Sequence, residues 1–220
     1  MSFAIIDAEQ RSPEWFAARL GRVTGSRAAD VLATIKSGEA AARRDYRVQL
    51  VVERLTQQLQ EDAYINKEMQ RGIDCEPVAR AAYESRTGDL VRSTGFLACD
   101  DMPVGCSLDG DIGNFTGILE VKCPKSATHL RYLRGGAVIP PEHLAQLRHN
   151  LYVTGAQWCD FVSWDDRFPP ELQLFIVRLH AGNAKLDAYD ASLREFLFEV
   201  DAELEVISRL RESLQDVVEV

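Results

Sequence analysis

The sequence predicts an α/β or α+β domain in which helices come first and a sheet crossed by helices follows. Three observations carry this. Apolar residues recur at helical spacing between Pro13 and Arg86. After Gly88 the pattern shortens to the alternation and short apolar runs of strands. The chain then closes on one long amphipathic stripe. At 220 residues it is long enough to bury a core, and it shows no internal repeat, low-complexity tract or Pro/Ser-rich linker, so one domain over 1–220 is expected.

The first helix starts at Pro13: Ser12 caps it, Pro13 suits its first turn and Glu14 suits its positive end. After a turn at Gly21, Thr24-Gly25-Ser26 opens a second helix through Leu32. A third covers 43–60, with Tyr46, Leu50, Val51, Leu55 and Leu59 on one stripe. A fourth covers Met69 to Arg86 with Ile73, Val78, Ala79, Ala82 and Tyr83; Pro77 is awkward within it and shifts the expected regular start toward itself. Strands are expected at Leu90–Ala98, Val104–Leu108, Gly117–Val121, Cys159–Trp164 and Leu172–Leu179, with a helix over Pro141–Val153 between the third and fourth. The last helix, 184–214, carries Leu186, Tyr189, Leu193, Phe196, Val200, Leu204, Ile207, Leu210 and Leu214. That stripe suits packing on its own domain, or a dimeric coiled coil.

Composition excludes several classes. With 46% hydrophobic and 27% charged residues the chain reads as ordinary soluble material, with no apolar run near the ~18 residues a membrane span needs. The start, MSFAIIDAEQRSPEW, lacks the basic flank of a secretory signal. The five cysteines (75, 99, 106, 123 and 159) form no CxxC pair, which argues against a zinc knuckle or a disulfide framework and for a reducing, cytoplasmic setting. The net charge of −9 is unevenly spread: residues 1–60 carry nine Lys/Arg against seven Asp/Glu, residues 181–220 four against ten. Of the 25 basic residues 20 are Arg, whose planar fork can grip a phosphate with two hydrogen bonds.

The chemistry concentrates in CSLDGDIGNFTGILEVKCP, residues 106–124. Asp109 and Glu120 flank a Gly/Asn turn at Gly113–Gly117, and a hairpin there brings them together. In a strand Glu120 and Lys122 share one face, about 6–7 Å apart, while Val121 points into the sheet. Two carboxylates and the Val121 carbonyl make an all-oxygen site suited to a hard ion such as Mg²⁺. Lys122 beside it can hold or deprotonate a water, or offset charge on a phosphoryl oxygen.

An Asp some ten residues before E-x-K, followed by Cys-Pro, is similar to the PD-(D/E)xK nuclease core. The wider chain resembles the phage lambda exonuclease family, the YqaJ-type viral recombinase nucleases, in four blocks that occur in the right order. WFAARLGRVTGSRAADVL (15–32) is similar to the family's W-x3-R-x-G segment, and RGIDCEPVARAAYESRTG (71–88) to its G-x3-E-x2-A block. The CSLDG…LEVKCP core is the third, and HLAQLRHNLYVTGAQWCDFVSW (143–164) is similar to its A-Q-x-Q block and the strand after it.

The resemblance implies an α/β restriction-endonuclease-like core, with a central mixed β-sheet flanked by helices, a helical N-terminal part and a long C-terminal helix. It implies that Asp109, Glu120 and the Val121 carbonyl bind Mg²⁺, that two ions are used with Mn²⁺ as a substitute, and that Glu76 holds the second ion or its waters. Lys122 matches the catalytic lysine, and Gln146 the glutamine that orients it or the substrate. Arg19 and Ser26 match residues that grip a 5′-terminal phosphate, in keeping with a helix N-terminus as an anion site. Met69 falls where the family places an apolar wedge, and His143 where it places a tyrosine. The second glutamine of A-Q-x-Q is Arg148 here. His129 lies near the core without an assignment.

The implied activity is metal-dependent, sequence-independent 5′→3′ exonuclease action on double-stranded DNA ends. It releases 5′-mononucleotides and leaves 3′ single strands for a single-strand annealing recombinase, in the cytoplasm of a bacterial or phage-infected cell. A homotrimeric ring around the DNA is implied, with basic residues of the first 60 lining it and the acidic C-terminal helix facing out. An endonuclease on the same core and a non-catalytic DNA-end-binding protein are the alternative readings.

Overall fold

The computed structural model describes residues 2–60 and 66–218. Two four-stranded mixed sheets form its centre. The first runs β1 (Phe3–Ile6), β3 (Phe96–Cys99), β4 (Val104–Ser107), β2 (Val23–Thr24); the second runs β5 (Gly110–Ile112), β6 (Gly117–Lys122), β7 (Trp158–Trp164), β8 (Leu174–His180). In the second sheet β5–β6 and β7–β8 are antiparallel and β6–β7 parallel. Helices α5 (Ser126–Gly135) and α6 (Pro141–Thr154) make the crossover that a parallel pair requires.

The N-terminal helices are α1 (Pro13–Arg19), a 3₁₀ turn at Gly25–Arg27 leading into α2 (Ala28–Val31), α3 (Ala41–Thr56) and α4 (Lys67–Thr87); α7 (Leu186–Val218) ends the chain. Ser12 caps α1 by accepting from the Trp15 amide at 3.1 Å, as expected. Asn66 caps α4 through the Met69 amide. The expected helix from Thr24 to Leu32 is this 3₁₀ turn plus a four-residue helix. Helix α4 continues through Pro77 instead of starting near it. Pro77 supplies no N–H to the carbonyl of Ile73, so the helix gives up one rung at a solvent-exposed position, where water can take the carbonyl.

The main core joins α3, α6 and the first half of α7 to both sheets, with Tyr46, Leu50, Leu97, Leu147, Leu151, Phe161, Leu193 and Phe196 at its heart. A second core lies between α4 and the second sheet, where Ala79 and Tyr83 meet Leu119, Val121, Val162 and Trp164. The expected strand from Leu90 begins only at Phe96: Leu90 faces solvent, and Arg92 instead exchanges backbone hydrogen bonds with Asp111.

Helix α7 packs on its own chain through Leu186, Tyr189, Leu193, Phe196 and Val200, while Ile207, Leu210 and Leu214 of the same stripe stand exposed. Three of its acids turn toward the basic N-terminal part. Arg47 reaches Glu203 at 2.7 Å, Arg54 reaches Asp201 at 2.8 Å and Arg43 pairs with Glu199, so α3 and α7 neutralise each other. For Arg43, Arg47 and Arg54 the expectation of a basic lining backed by an outward acidic helix is corrected: burying the apolar faces of α3 and α7 against each other brings their flanking charges into contact.

Candidate functional site

Asp109 lies where the chain leaves the first sheet at Ser107 and enters the second at Gly110. The β5–β6 hairpin then returns the chain, pairing Gly110 with Leu119 and carrying Glu120 back beside Asp109. The link is direct: the Val121 amide donates to Asp109 Oδ2 at 2.6 Å. Lys122 Nζ donates to Glu120 Oε1 at 2.5 Å. Glu76 of α4, Asp109, Val121, Lys122, Met69 and His143 all line one cleft of about 380 Å³. The hairpin expectation is met, and Glu76, 33 residues upstream of Asp109, joins the same site.

The electrostatics are those of an acid-rich pocket. Burial pushes Glu120 up to about 7, helped by the charges of Asp109 and Glu76 against the pull of Lys122. Glu76 is likewise pushed up to about 7 by burial and by Asp109. Asp109 is raised by burial, while Lys122 and the Val121 amide oppose the rise. Burial acts to lower Lys122, but Glu120, Asp109 and Glu76 outweigh it, so the ammonium stays protonated. Three carboxylates thus crowd around Lys122, with Arg80 reaching only Glu76 among them at 3.7 Å, and burial raises all three, helped by repulsion at Glu76 and Glu120.

That surplus of acid fits a divalent cation. The donors are carboxylate and carbonyl oxygens, which suit Mg²⁺, an ion that keeps several waters and takes only one or two carboxylates. Among the described residues no three His, Cys, Asp or Glu side chains gather closely enough to cage an ion without such waters.

Helix α6 supplies the next layer. His143, Gln146 and Asn150 follow at spacings of three and four on one face. Asn150, fully buried, donates from Nδ2 to Glu120 Oε2 at 3.0 Å, while its Oδ1 has no hydrogen-bond partner. Sequence reasoning missed Asn150; its signal was its place four residues after Gln146. His143 stacks on Phe161 and shares a 2.9 Å hydrogen bond with the Tyr132 hydroxyl; burial and then Lys122 push it down to about 4, so it is neutral near pH 7. His129 is not part of the site: it is fully buried, with Ser163 Oγ and the Leu172 carbonyl on its two nitrogens.

The motif around Arg19 is adjacent. Trp15 anchors α1 to β4 by donating to Ser107 Oγ at 2.8 Å, and the Arg19 guanidinium lies 4.3 Å from the Trp15 ring centre, one helical turn on. Arg19 reaches Thr24 Oγ1 at 3.5 Å, and Thr24 Oγ1 lies 3.4 Å from Ser26 Oγ. Gly25 between them approaches Asn150 so closely that a Cβ would stand 2.6 Å from Oδ1. The Arg19–Thr24–Ser26 group is therefore joined through Gly25 and Asn150 to Glu120. Met69, 45% exposed beside the half-exposed Ile73, stands at the cleft's edge, not in the core.

A sequence-family model described as the YqaJ-like viral recombinase domain matches residues 14–157. Among solved structures, an alkaline exonuclease, LHK-Exo, from Laribacter hongkongensis is 40% identical with a TM-score of 0.81, covering 92% of this chain and 100% of that one. LHK-Exo in complex with dAMP matches at 39% identity with a TM-score of 0.82 and the same coverage. A phage-related exonuclease from Haemophilus somnus 129PT, at 13% identity, TM-score 0.63 and coverage of 86% and 96%, shares the fold. Among curated protein sequences none matches the chain. The match across 14–157 takes in every block that carries the acids, the lysine and the Arg19 group, and by it this chain belongs to the YqaJ-like viral recombinase family.

Proposed function

We propose that this chain is a metal-dependent exonuclease that digests linear duplex DNA 5′→3′, releasing 5′-mononucleotides and leaving a 3′ single strand for homologous recombination by annealing. The observation that carries the reading is the convergence of Asp109, Lys122 and Glu76 in one open cleft, with Glu120 buried directly behind it on Lys122. The 40% identity to an alkaline exonuclease supports hydrolysis of DNA from an end.

Asp109, Glu120 and the Val121 carbonyl would hold Mg²⁺, with Glu76 toward a second ion or its waters; Mn²⁺ is a chemically suitable substitute. When bound, such ions activate a water and offset charge on the phosphoryl oxygens. The chain's own groups do the rest. Lys122, held protonated by its acids, orients the attacking water or donates to a phosphoryl oxygen. Asn150 fixes Glu120 through Oε2, leaving Oε1 to Lys122. Gln146 lies on the same face of α6 to orient Lys122 or the substrate. Arg19 and Ser26 bind the 5′-phosphate, which sets the step at one nucleotide and the polarity from the 5′ end. Met69 wedges against the terminal base pair, with His143 as a neutral phosphate contact. Because these contacts go to the backbone, digestion is independent of sequence. A homotrimeric ring would account for processive action, and a single-strand annealing protein is the expected partner of the exposed 3′ strand.

The test is digestion of linear duplexes carrying 5′-phosphate or 5′-hydroxyl ends, with and without Mg²⁺, by the wild type and by Lys122→Ala and Arg19→Ala. The reading expects mononucleotides from 5′-phosphorylated ends only with the metal, release slowed about 10²-fold or more with Lys122→Ala, and weakened, end-indifferent digestion with Arg19→Ala. Internal nicks, 3′→5′ loss, or binding without turnover would overturn it.

A further inference from the structure

We propose that Arg11 is a DNA-backbone contact of this nuclease, gripping a phosphate of the strand where the active-site cleft opens into a second one. The assignment rests on the nuclease reading above and extends it to a residue outside every motif block.

The second cleft, of about 560 Å³, lies beyond Glu76 and is lined by Arg80, Ser93 and Thr94 among others. It meets the active-site cleft along Gln10, Arg11, Ile73 and Glu76, which line both. A strand occupying the first cleft therefore has a continuous path past Arg11 into the second. Arg80, the other cation there, is committed to Ser93 Oγ, the Asp109 carbonyl and Glu76.

Arg11 is not so committed. The other arginines before residue 60 have partners: Arg19 the Trp15 ring, Arg22 two carbonyls, Arg27 Asp30, Arg44 Asp45, and Arg43, Arg47 and Arg54 the acids of α7. Among the described residues no carboxylate pairs with the exposed Arg11. Five donors are thus presented at the junction of two clefts whose nearby acids, Asp7, Glu9 and Glu76, would otherwise repel a polyanion.

The backbone points the same way. The Ser12 amide donates to the Glu9 carbonyl at 3.0 Å, closing a turn with Gln10 and Arg11 at its centre. Arg11 has φ +72°, while Gln10 is not left-handed, which is the type II pattern that favours glycine at this place. An arginine here works against the preference of the turn, and its side chain, not its backbone, gives the residue a purpose.

This makes Arg11→Gly a clean test, because glycine suits the turn and removes only the cation. Binding of a labelled linear duplex is measured in EDTA over a series of salt concentrations for the wild type, Arg11→Gly and Arg11→Lys, with thermal unfolding of each. Arg11→Gly is expected to unfold at or above the wild-type temperature, yet bind several-fold more weakly at low salt, with the slope of log K against log[salt] reduced by about 0.7–0.9, one phosphate contact. Arg11→Lys is expected to keep the slope. Wild-type affinity and slope in Arg11→Gly would overturn the assignment of Arg11 alone. A wild type that binds no duplex would overturn the nuclease reading, and Arg11 with it.

Discussion

Glu120 and Asp160 are both 1% exposed and lie one register position apart on neighbouring strands, yet they are treated oppositely. Asp160 is fully answered by the chain: Arg178 grips both of its oxygens at 2.7 and 2.8 Å, the Tyr83 hydroxyl adds a bond at 2.7 Å, and Arg178 itself lies over the Trp158 ring. Glu120 shares one lysine with two other acids and is pushed up to about 7. A buried charge with its own arginine is a structural element, since removing either partner leaves the other stranded. A buried carboxylate crowded by like charges leaves its compensation to something that binds. The contrast separates scaffold from chemistry within one sheet.

The largest expected difference between the two comes from substituting each acid's cationic partner. Lys122→Ala should lower the nuclease rate by about 10²-fold or more, the scale of losing one group that stabilises developing charge, with little change in unfolding temperature. Arg178→Ala should do the reverse. It leaves Asp160 with Tyr83 alone and costs about 2 kcal/mol in urea unfolding, below the roughly 3–5 kcal/mol of a fully buried pair because the Arg178 side chain is 37% exposed and water screens it. Turnover would fall only as the folded fraction falls. Equal effects of both substitutions on both measurements would erase the distinction.

Asn150 sharpens the comparison, being to Glu120 what Tyr83 is to Asp160. Asn150→Ala removes one hydrogen bond to a carboxylate, worth about 1.5 kcal/mol, and is expected to slow turnover about tenfold while leaving the salt dependence of DNA binding alone. A shift in DNA affinity with an unchanged rate would instead assign Asn150 to the Arg19 group across Gly25.

How much of this was legible follows from length and from locality. Helices α3, α4 and α6, strands β6, β7 and β8 and the first half of α7 carry enough repeats of their period to be read directly. Strands β1, β2 and β5, of two to four residues, and α5, of ten, carry too few. The break between two sheets at Asp109 is not a local property at all. Asp109, Glu120 and Lys122 were legible because a hairpin is local, and Glu76 only through its sequence block. Asn150 was not, since an asparagine in a helix reads as surface until Leu151 and His149 around it are seen buried. The pairing of Arg43, Arg47 and Arg54 with α7 joins residues about 150 positions apart, and no window along the chain sees it.

The smallest effect concerns Mg²⁺ and the sign of its pH dependence. A carboxyl whose folded pKa is raised contributes stability below its unfolded value near 4.5 and loses it as pH rises through the folded value, here about 7 for both Glu76 and Glu120. The metal-free protein therefore carries a growing repulsive cost from pH 5 to pH 8, and a divalent cation at the acids relieves it. At ten times its dissociation constant the ion adds about 1.4 kcal/mol, or about 3–5 °C of unfolding temperature for a chain this size, at pH 8. At pH 5 protons hold the same oxygens and the gain shrinks toward zero. His149, buried between the Tyr189 hydroxyl and the Gly105 carbonyl and pushed down to about 4 by burial, destabilises the fold as pH falls below 6.5, but equally with and without metal. The difference between the two scans therefore isolates the carboxylates. Glu120→Gln should abolish that difference while Asp160→Asn preserves it, and a gain that is independent of pH, or that survives Glu120→Gln, would place the cation elsewhere.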